Sequence, residues 1–378
     1  MKNIKVCHIT SAHQRHDVRI FEKECVSLSN FGYEVYEIVN DDAPDEEYGG
    51  VHIVSTGFVP VNRLERMFKS MKYILKLAIE IDADIYHLHD PELLQVVKEL
   101  RKIGKIVIFD AHEDTETQIM DKQYIPFVIR RIVACIYGLY SRRMMCKCDG
   151  IITVTPQFVE KYQAFNENTI MVTNYPILEV DDKDDDINER DVQDSFVFFA
   201  GGISSQWCHD NIIKAVKNLA GVKYKYAGRS DDEYITYLNR LGSNSSEYIG
   251  VLPHAGVRKL YRASVAGMAL LKCSQVGDEG TLGNTKLFEI MQAGKPVICS
   301  NLRLWRQIIE EYDCGICVDC NNVDEIAKAI EYIINNPAEA QKMGEAGKRA
   351  VKEKYNWNIE ASKLYDFYSD LLGQDITY

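Results

Sequence analysis

The sequence has no long apolar run: nowhere does it reach the 18 or so consecutive apolar residues that a membrane-crossing helix needs. Its opening stretch, MKNIKVCHITSAH, lacks a cationic segment followed by a long apolar one, so it does not read as a secretory leader and the cytoplasm is the expected compartment. Basic excess is lacking as well. With 44 Lys and Arg against 56 Asp and Glu, the formal net charge of -12 excludes a general nucleic-acid binder, because a polyanion needs a basic footprint. There is no short internal repeat and no low-complexity tract. What remains is a 378-residue globular chain with 46% hydrophobic residues, long enough for two domains of ordinary size.

Cysteine is present but does not form an obvious framework. The eleven cysteines are odd in number and mostly sit in apolar runs, which suits reduced thiols in a core. Cys314, Cys317 and Cys320 have a CxxCxxC spacing that could begin an iron–sulfur site. No convincing fourth ligand lies nearby and GICVDC alternates like a strand, so core cysteines are the preferred reading.

Strands and helices alternate. IKVCHIT, YEVYEIV, DIYHLH and KIVIFDAH read as buried strands, and RIFEKECVSLSNFG reads as an amphipathic helix closed by Gly32. This order predicts an α/β fold with parallel, doubly wound sheets. Residues 179–194, EVDDKDDDINERDVQD, form a charge run without apolar period and read as a linker. Beyond it the alternation restarts in SFVFFAGG, VKYKYAG, VAGMALLKCS and KPVICS. The expected organisation is a Rossmann-like domain over 1–178, the linker, a second Rossmann-like domain over 195–356 with a cleft between the two, and an amphipathic helix over 357–373.

The stretch GNTKLFEIMQAGKPVI carries the strongest signal. Asn284 is the expected N-cap, Leu287, Ile290 and Met291 form an apolar stripe, and Gly294 is the stop, so Glu289 points away from the stripe. The glycine-rich loop before it brings a helix N-terminus to the carboxyl end of a strand, where phosphates bind. Glu289 lies about 7 to 8 Å further along the helix, at about 1.5 Å per residue. A carboxylate at that distance suits a ribose next to a diphosphate. A glutamate that merely complements the helix dipole is the competing reading.

Histidines mark the other half. His112 ends the strand KIVIFDAH, at the carboxyl edge where open sheets place ligands. His87, His89 and Asp90 end the previous strand, with Asp90 as N-cap and Pro91 at the first helical position. Together with His112, Glu113 and Asp114 they could be read as a hydrolase metal site. The local motif supplies no third histidine and Asp90 has a capping role, so no metal site is assigned.

NTKLFEIMQAGKPVI resembles the donor-binding motif of family-4 retaining glycosyltransferases of the GT-B fold, particularly bacterial polysaccharide enzymes. HDVRIFEKECVSLSNFGYEV, IYHLHDPELL, IVIFDAHED, FVFFAGGIS, YIGVLPHAGVRKLYRASVAGMALL and YNWNIEASKLYDFYSDLL extend the resemblance over nearly the whole chain. It implies two facing Rossmann-like domains, the second binding a nucleoside-diphosphate sugar and the first an acceptor, with the final helix crossing back to the first. Glu289 would bind the ribose, and Asn284, Thr285 and Lys286 would lie near the diphosphate and donor sugar. Val251 and Leu252 would flank the base, Gly202 would form the turn after the first strand, and His112 would sit at the reacting centre. The acceptor would be a cell-surface glycan or lipid-linked glycan precursor, with no cofactor and no obligatory metal.

The departures are specific. A basic pair common after that glycine turn is replaced by Gln206 and His209. The E-x7-E pattern has Thr281 at its first position, with Glu279 out of register. A Gly-Gly loop after the first strand is replaced by SAHQRHD. Arg15, Arg19, Lys286 and Arg229 remain as sources of the missing charge. A nucleotide-sugar epimerase or hydrolase, and a catalytically weak sugar-nucleotide-binding subunit, stay open as alternatives.

Two basic segments bear on location. In RLERMFKSMKYILKLA, Leu64, Met67, Phe68, Met71, Ile74, Leu75 and Ala78 share one helical face, and Arg63, Arg66, Lys69, Lys72 and Lys76 share the other. PFVIRRIVACIYGLYSRRMMCK carries Arg130, Arg131, Arg142, Arg143 and Lys147 and no acid. Peripheral contact with an anionic membrane is the expectation, weighed against a solvated face over an ordinary core.

Overall fold

In a computed structural model of the chain, residues 4–112, 115–121, 126–178, 195–272 and 277–373 are described. They divide into two compact units, Met1–Asn174 with Asn358–Tyr378, and Tyr175–Trp357. The expected linker, 179–194, lies outside the described residues.

The first unit is built on eight strands: β1 (Lys5–Ile9), β2 (Glu34–Val39), β3 (Glu46–Tyr48), β4 (Val51–Ser55), β5 (Ile85–Leu88), β6 (Ile106–Ala111), β7 (Gly150–Thr153) and β8 (Thr169–Met171). Their order is β3-β4-β2-β1-β5-β6-β7-β8, parallel throughout except for the β3–β4 pair. Helical connections explain the parallel pairing, and coverage on both faces explains why Val6, Ile9, Leu88 and Ile151 are fully buried. The register puts Val6 beside Ile85 of β5, which brings residues far apart in sequence to the same sheet edge.

Asp17 opens the first helix: its Oδ1 accepts the N–H groups of Arg19 and Ile20 at 2.8 and 3.0 Å. Over Val18–Cys25 this helix is wound wide, with the Glu22 N–H reaching the Asp17 carbonyl, before it tightens over Val26–Asn30. The wide turn buries Arg19, Lys23 and Glu24 together with Ile20 and Phe21. The single amphipathic helix expected over 63–78 is instead two, Arg63–Phe68 and Ser70–Ile81, broken at Lys69. Met71, Ile74 and Ala78 enter the core, whereas Leu64 and Phe68 are 67% and 60% exposed.

The second unit has six parallel strands: β9 (Ser195–Ala200), β10 (Val222–Ala227), β11 (Ser246–Gly250), β12 (Ala266–Ala269), β13 (Val297–Ser300) and β14 (Gly315–Val318). The order β11-β10-β9-β12-β13-β14 reverses direction between β9 and β12, and such a switch point is where open sheets bind ligands. Its core is apolar and aromatic, with Phe198, Phe199, Tyr224, Met268 and Trp305 fully buried. The last helix, Trp357–Leu371, belongs from Asn358 onward to the first unit, where Glu360 Oε2 accepts the Thr173 N–H at 2.6 Å.

Candidate functional site

At the carboxyl ends of β9 and β10 the second unit opens a cavity of about 390 Å³. Gly202, Arg229, Val251, Leu252, Thr285, Lys286 and Glu289 all line it; Asn284 does not. Two glycines make room. Gly201, at φ +140°, leaves space that Lys286 Cε fills, since a Cβ there would meet it at 2.2 Å. Gly228, at φ +144°, lets its loop touch the Gly201 carbonyl, where a Cβ would come within 1.7 Å.

The helix Lys286–Gln292 presents Leu287, Phe288, Ile290 and Met291 to the core and leaves Glu289 half-buried at the cavity, as the apolar stripe predicts. The cap differs from expectation. Thr285 occupies the cap position and Asn284 stands one residue further out, where its Oδ1 accepts the Lys286 N–H at 3.1 Å. Thr285 Oγ1 donates to Glu289 Oε1 at 2.6 Å, holding the carboxylate along the helix. Lys286 Nζ lies 4.5 Å from the Trp207 ring centroid and 5.6 Å from that of Phe199. Desolvation lowers the Lys286 pKa, and Glu289 opposes that shift.

Four other positions singled out in the sequence already have partners within their own unit. His209 is buried, with Nδ1 2.7 Å from Tyr224 Oη; burial and then Lys286 hold its pKa near 3, so it is a neutral core residue and no substitute for a basic pair. Arg15 is held by Asp41 at 2.8 and 2.9 Å, and Arg19 pairs with Asp110 at 2.9 and 3.0 Å. Glu279 is paired with Arg303. Among the described residues, Lys286 and Arg229 are the lysine and arginine that line the cavity.

In the first unit His112 follows β6 and lines a cavity of about 380 Å³ with Phe109, Tyr137, Arg142, Tyr162 and Phe165. Its Nδ1 is 3.2 Å from Asp110 Oδ2, the same oxygen that lies 3.3 Å from His89 Nδ1 and accepts from Arg19 Nε. Burial alone would raise the Asp110 pKa, but Arg19 and then His112 hold it well below the usual carboxylate range. Asp90 stands at the N-cap position before Pro91, as expected, but its side chain makes no capping hydrogen bond there. Its Oδ2 instead accepts from Ser11 N, Thr10 Oγ1 and Ala12 N at 2.6, 2.8 and 3.1 Å, fixing the loop after β1. Glu113 and Asp114 lie outside the described residues. Cys317 Sγ sits 3.7 Å from Cys299 Sγ across neighbouring strands, and among the described residues Cys314, Cys317 and Cys320 form no metal-holding group.

The basic segments also differ from their helical wheels. Glu65 pairs with Lys69, and Arg66 reaches Glu92 at 2.5 Å, so the first segment is partly neutralised. The helix Phe127–Met145 exposes a row of large apolar side chains, including Val128, Ile132, Ile136 and Leu139. Among the described residues no helix is long and apolar enough to cross a membrane.

Residues 19–174 match the family described as "Glycosyltransferase Family 4" and residues 180–350 that described as "Glycosyl transferases group 1". A GDP-mannose-dependent alpha-(1-6)-phosphatidylinositol monomannoside mannosyltransferase of Mycobacterium tuberculosis is 33% identical over 87 residues, 23% of this chain. The match spans only 22% of that relative's length. Among solved structures, a sucrose-phosphate synthase from Thermosynechococcus elongatus superposes with a TM-score of 0.76 at 15% identity, covering 98% of this chain and 100% of the other. Anabaena HepE in complex with UDP and glucose gives 0.71 at 13% identity over 97% and 100%. At these identities the likeness is one of fold. With one family covering most of the first half and the other most of the second, on two parallel-sheet Rossmann-like units, the chain belongs to the group 1, family 4 glycosyltransferases of the GT-B fold.

Proposed function

We propose that the protein transfers a sugar, with retention, from a nucleoside-diphosphate donor held in the cavity of the second unit. The observation that carries this reading is the placement of Lys286 and Glu289 one turn apart on a helix that borders the glycine loop after β9. Lys286, resting on Trp207, and Arg229 meet the leaving diphosphate; Glu289, oriented by Thr285, accepts the ribose hydroxyls; Val251 and Leu252 flank the base. Fixed charge aimed at a leaving group stabilises the transition state. Two protein cations serve that purpose here, so the transfer step is read as metal-independent. His112, held by Asp110, orients the donor sugar or the acceptor at the reacting centre. His209 cannot replace the missing basic pair, which shifts that burden to Lys286.

The acceptor in this reading is a glycan precursor carried on a lipid, and the enzyme works peripherally at an anionic membrane surface. The exposed apolar row of Phe127–Met145, flanked by Arg142 and Arg143, supports it, as does a relative whose name specifies a phosphatidylinositol monomannoside. A thermal-shift screen of nucleotides and nucleotide sugars tests the donor site: a ligand at 100 times its Kd adds about 2.7 kcal/mol. A flat response to UDP, GDP, ADP, CDP and TDP compounds rejects it. His112→Ala should lower turnover by about 100-fold, the scale of a misplaced reacting group, with donor affinity little changed.

A further inference from the structure

Below the carboxyl ends of β1 and β5, the first unit buries three imidazoles and a carboxylate that the transfer reading leaves unused. His8 lies in β1, His87 in β5, His89 just beyond it, and Glu24 on the first helix; none is more than 1% exposed. Glu24 Oε2 is 3.7 Å from His8 Nδ1, 3.6 Å from His87 Nδ1 and 3.8 Å from His89 Nε2. His8 Nδ1 is 2.9 Å from His89 Nε2, and one ligand atom from each residue fits within a 4.8 Å set. Four ligands about 2.0 to 2.1 Å from a tetrahedral ion lie about 3.3 Å from one another, so shifts of a few tenths of an ångström would bring most of these edges to that length.

The carboxylate is the second observation. Neither oxygen of Glu24 accepts a hydrogen bond although both are shut off from solvent, an arrangement that costs free energy unless a charge faces it. Oε1 lies 3.3 Å from Arg19 Nε, which leaves Oε2 for the three rings. Arg19 is itself matched by the two-pronged contact with Asp110, and Glu24 Oε2 is left facing the three imidazoles. His89 turns its other nitrogen toward Asp110 Oδ2 at 3.3 Å, the outer carboxylate contact that orients metal-bound imidazoles.

We propose that His8, Glu24, His87 and His89 bind one divalent transition-metal ion, zinc by the nature and geometry of the donor set. Four protein ligands close the site, so the ion is a structural tie between β1, the first helix and β5 rather than a reactant. Tyr368 Oη, 2.8 Å from His87 Nδ1 and 3.5 Å from His8 Nε2, gives up the first contact when the ion is bound. Through His89 and Asp110 the tie also sets the position of His112. This assignment is independent of the donor cavity.

Elemental analysis of the full chain, purified without a metal-affinity step, should read about one zinc per chain. Stripping with a chelator should lower the melting temperature by several degrees, and added zinc should restore it. Cobalt(II) in place of zinc should give the visible bands of a tetrahedral site without thiolate charge-transfer bands. His87→Gln should reduce the metal content to below about a tenth of an equivalent, whereas Cys317→Ser should leave it unchanged. The reverse pattern, or thiolate bands, would move the ion to the cysteines and overturn the proposal. A wild-type chain that holds no metal, gains no stability from zinc and gives no cobalt spectrum overturns it equally, whatever the folding of the variant.

Discussion

At the carboxyl ends of their central strands the two units bury different chemistry. The first places His8, His87, His89 and Asp110 there, with Arg19 and Glu24 brought in by the first helix. The second places Phe198, Phe199, Tyr224 and Met268, and among its described residues the buried histidines, carboxylates and cations reduce to His209, which is neutral. In the first unit Asp110 and Arg19 are already committed to each other, and removing one partner of such a pair costs about 3 to 5 kcal/mol. In the second, charge is kept at a cavity wall on Lys286, Glu289 and Arg229. One architecture therefore holds a buried charged network in one copy and keeps its charge at a cavity wall in the other.

The largest expected effect on transfer comes from removing one of the two cations that line the second unit's cavity. Lys286→Met keeps the packing on Trp207 and beside Gly201, and should lower the transfer rate about 10²- to 10³-fold, or about 2.7 to 4 kcal/mol. Steady-state transfer assays measure it; full activity in that variant and loss in Arg229→Gln would move the task to the arginine. Next, Glu289→Gln should weaken donor binding by about 1.5 to 3 kcal/mol in calorimetry. Unchanged affinity would reduce Glu289 to the partner of Thr285.

On stability rather than transfer, the effect to expect comes from His209, the buried histidine among the described residues of the second unit. Its folded pKa, about 3, lies below the ordinary 6.5, so the unfolded chain binds the proton first as pH falls. The contribution of His209 to stability should thus be complete above about pH 6.5 and decline toward pH 3, by at most about 1.4 kcal/mol per pH unit. Urea unfolding across that range should show a shallower decline in His209→Phe; an identical slope would assign the acid sensitivity elsewhere. The smallest effect is at the surface. Replacing Arg142 and Arg143 with Gln should weaken sedimentation with anionic vesicles by about 1 kcal/mol per residue at low salt. A wild-type chain that stays in the supernatant with such vesicles makes a soluble acceptor the better reading.

Local rules made much of this legible. Period and punctuation are properties of neighbours in the chain, which is why the strand–helix alternation and the inward stripe of Leu287, Ile290 and Met291 with Glu289 turned outward could be read directly. The same reasoning placed Asp90 at its N-cap but not its carboxylate, whose donors sit on the loop after β1, and it failed for the 63–78 wheel, because nothing local tells that Leu64 and Phe68 lack a covering surface. His209 stands where a basic pair is common, and it is Tyr224 of β10, distant in sequence, that takes its ring nitrogen into the core.

By itself, then, the sequence determined the α/β class, the family motif and which face of the helix Lys286–Gln292 turns away from the core, all consequences of side-chain order over a few turns. Only the tertiary structure decided which charges are already spent. Strand register sets β1 against β5, and the wide-wound helix carries Arg19 and Glu24 over them. Whether a histidine or arginine is a partner or a spare depends on atoms contributed from distant segments, and short-range periodicity carries no information about those.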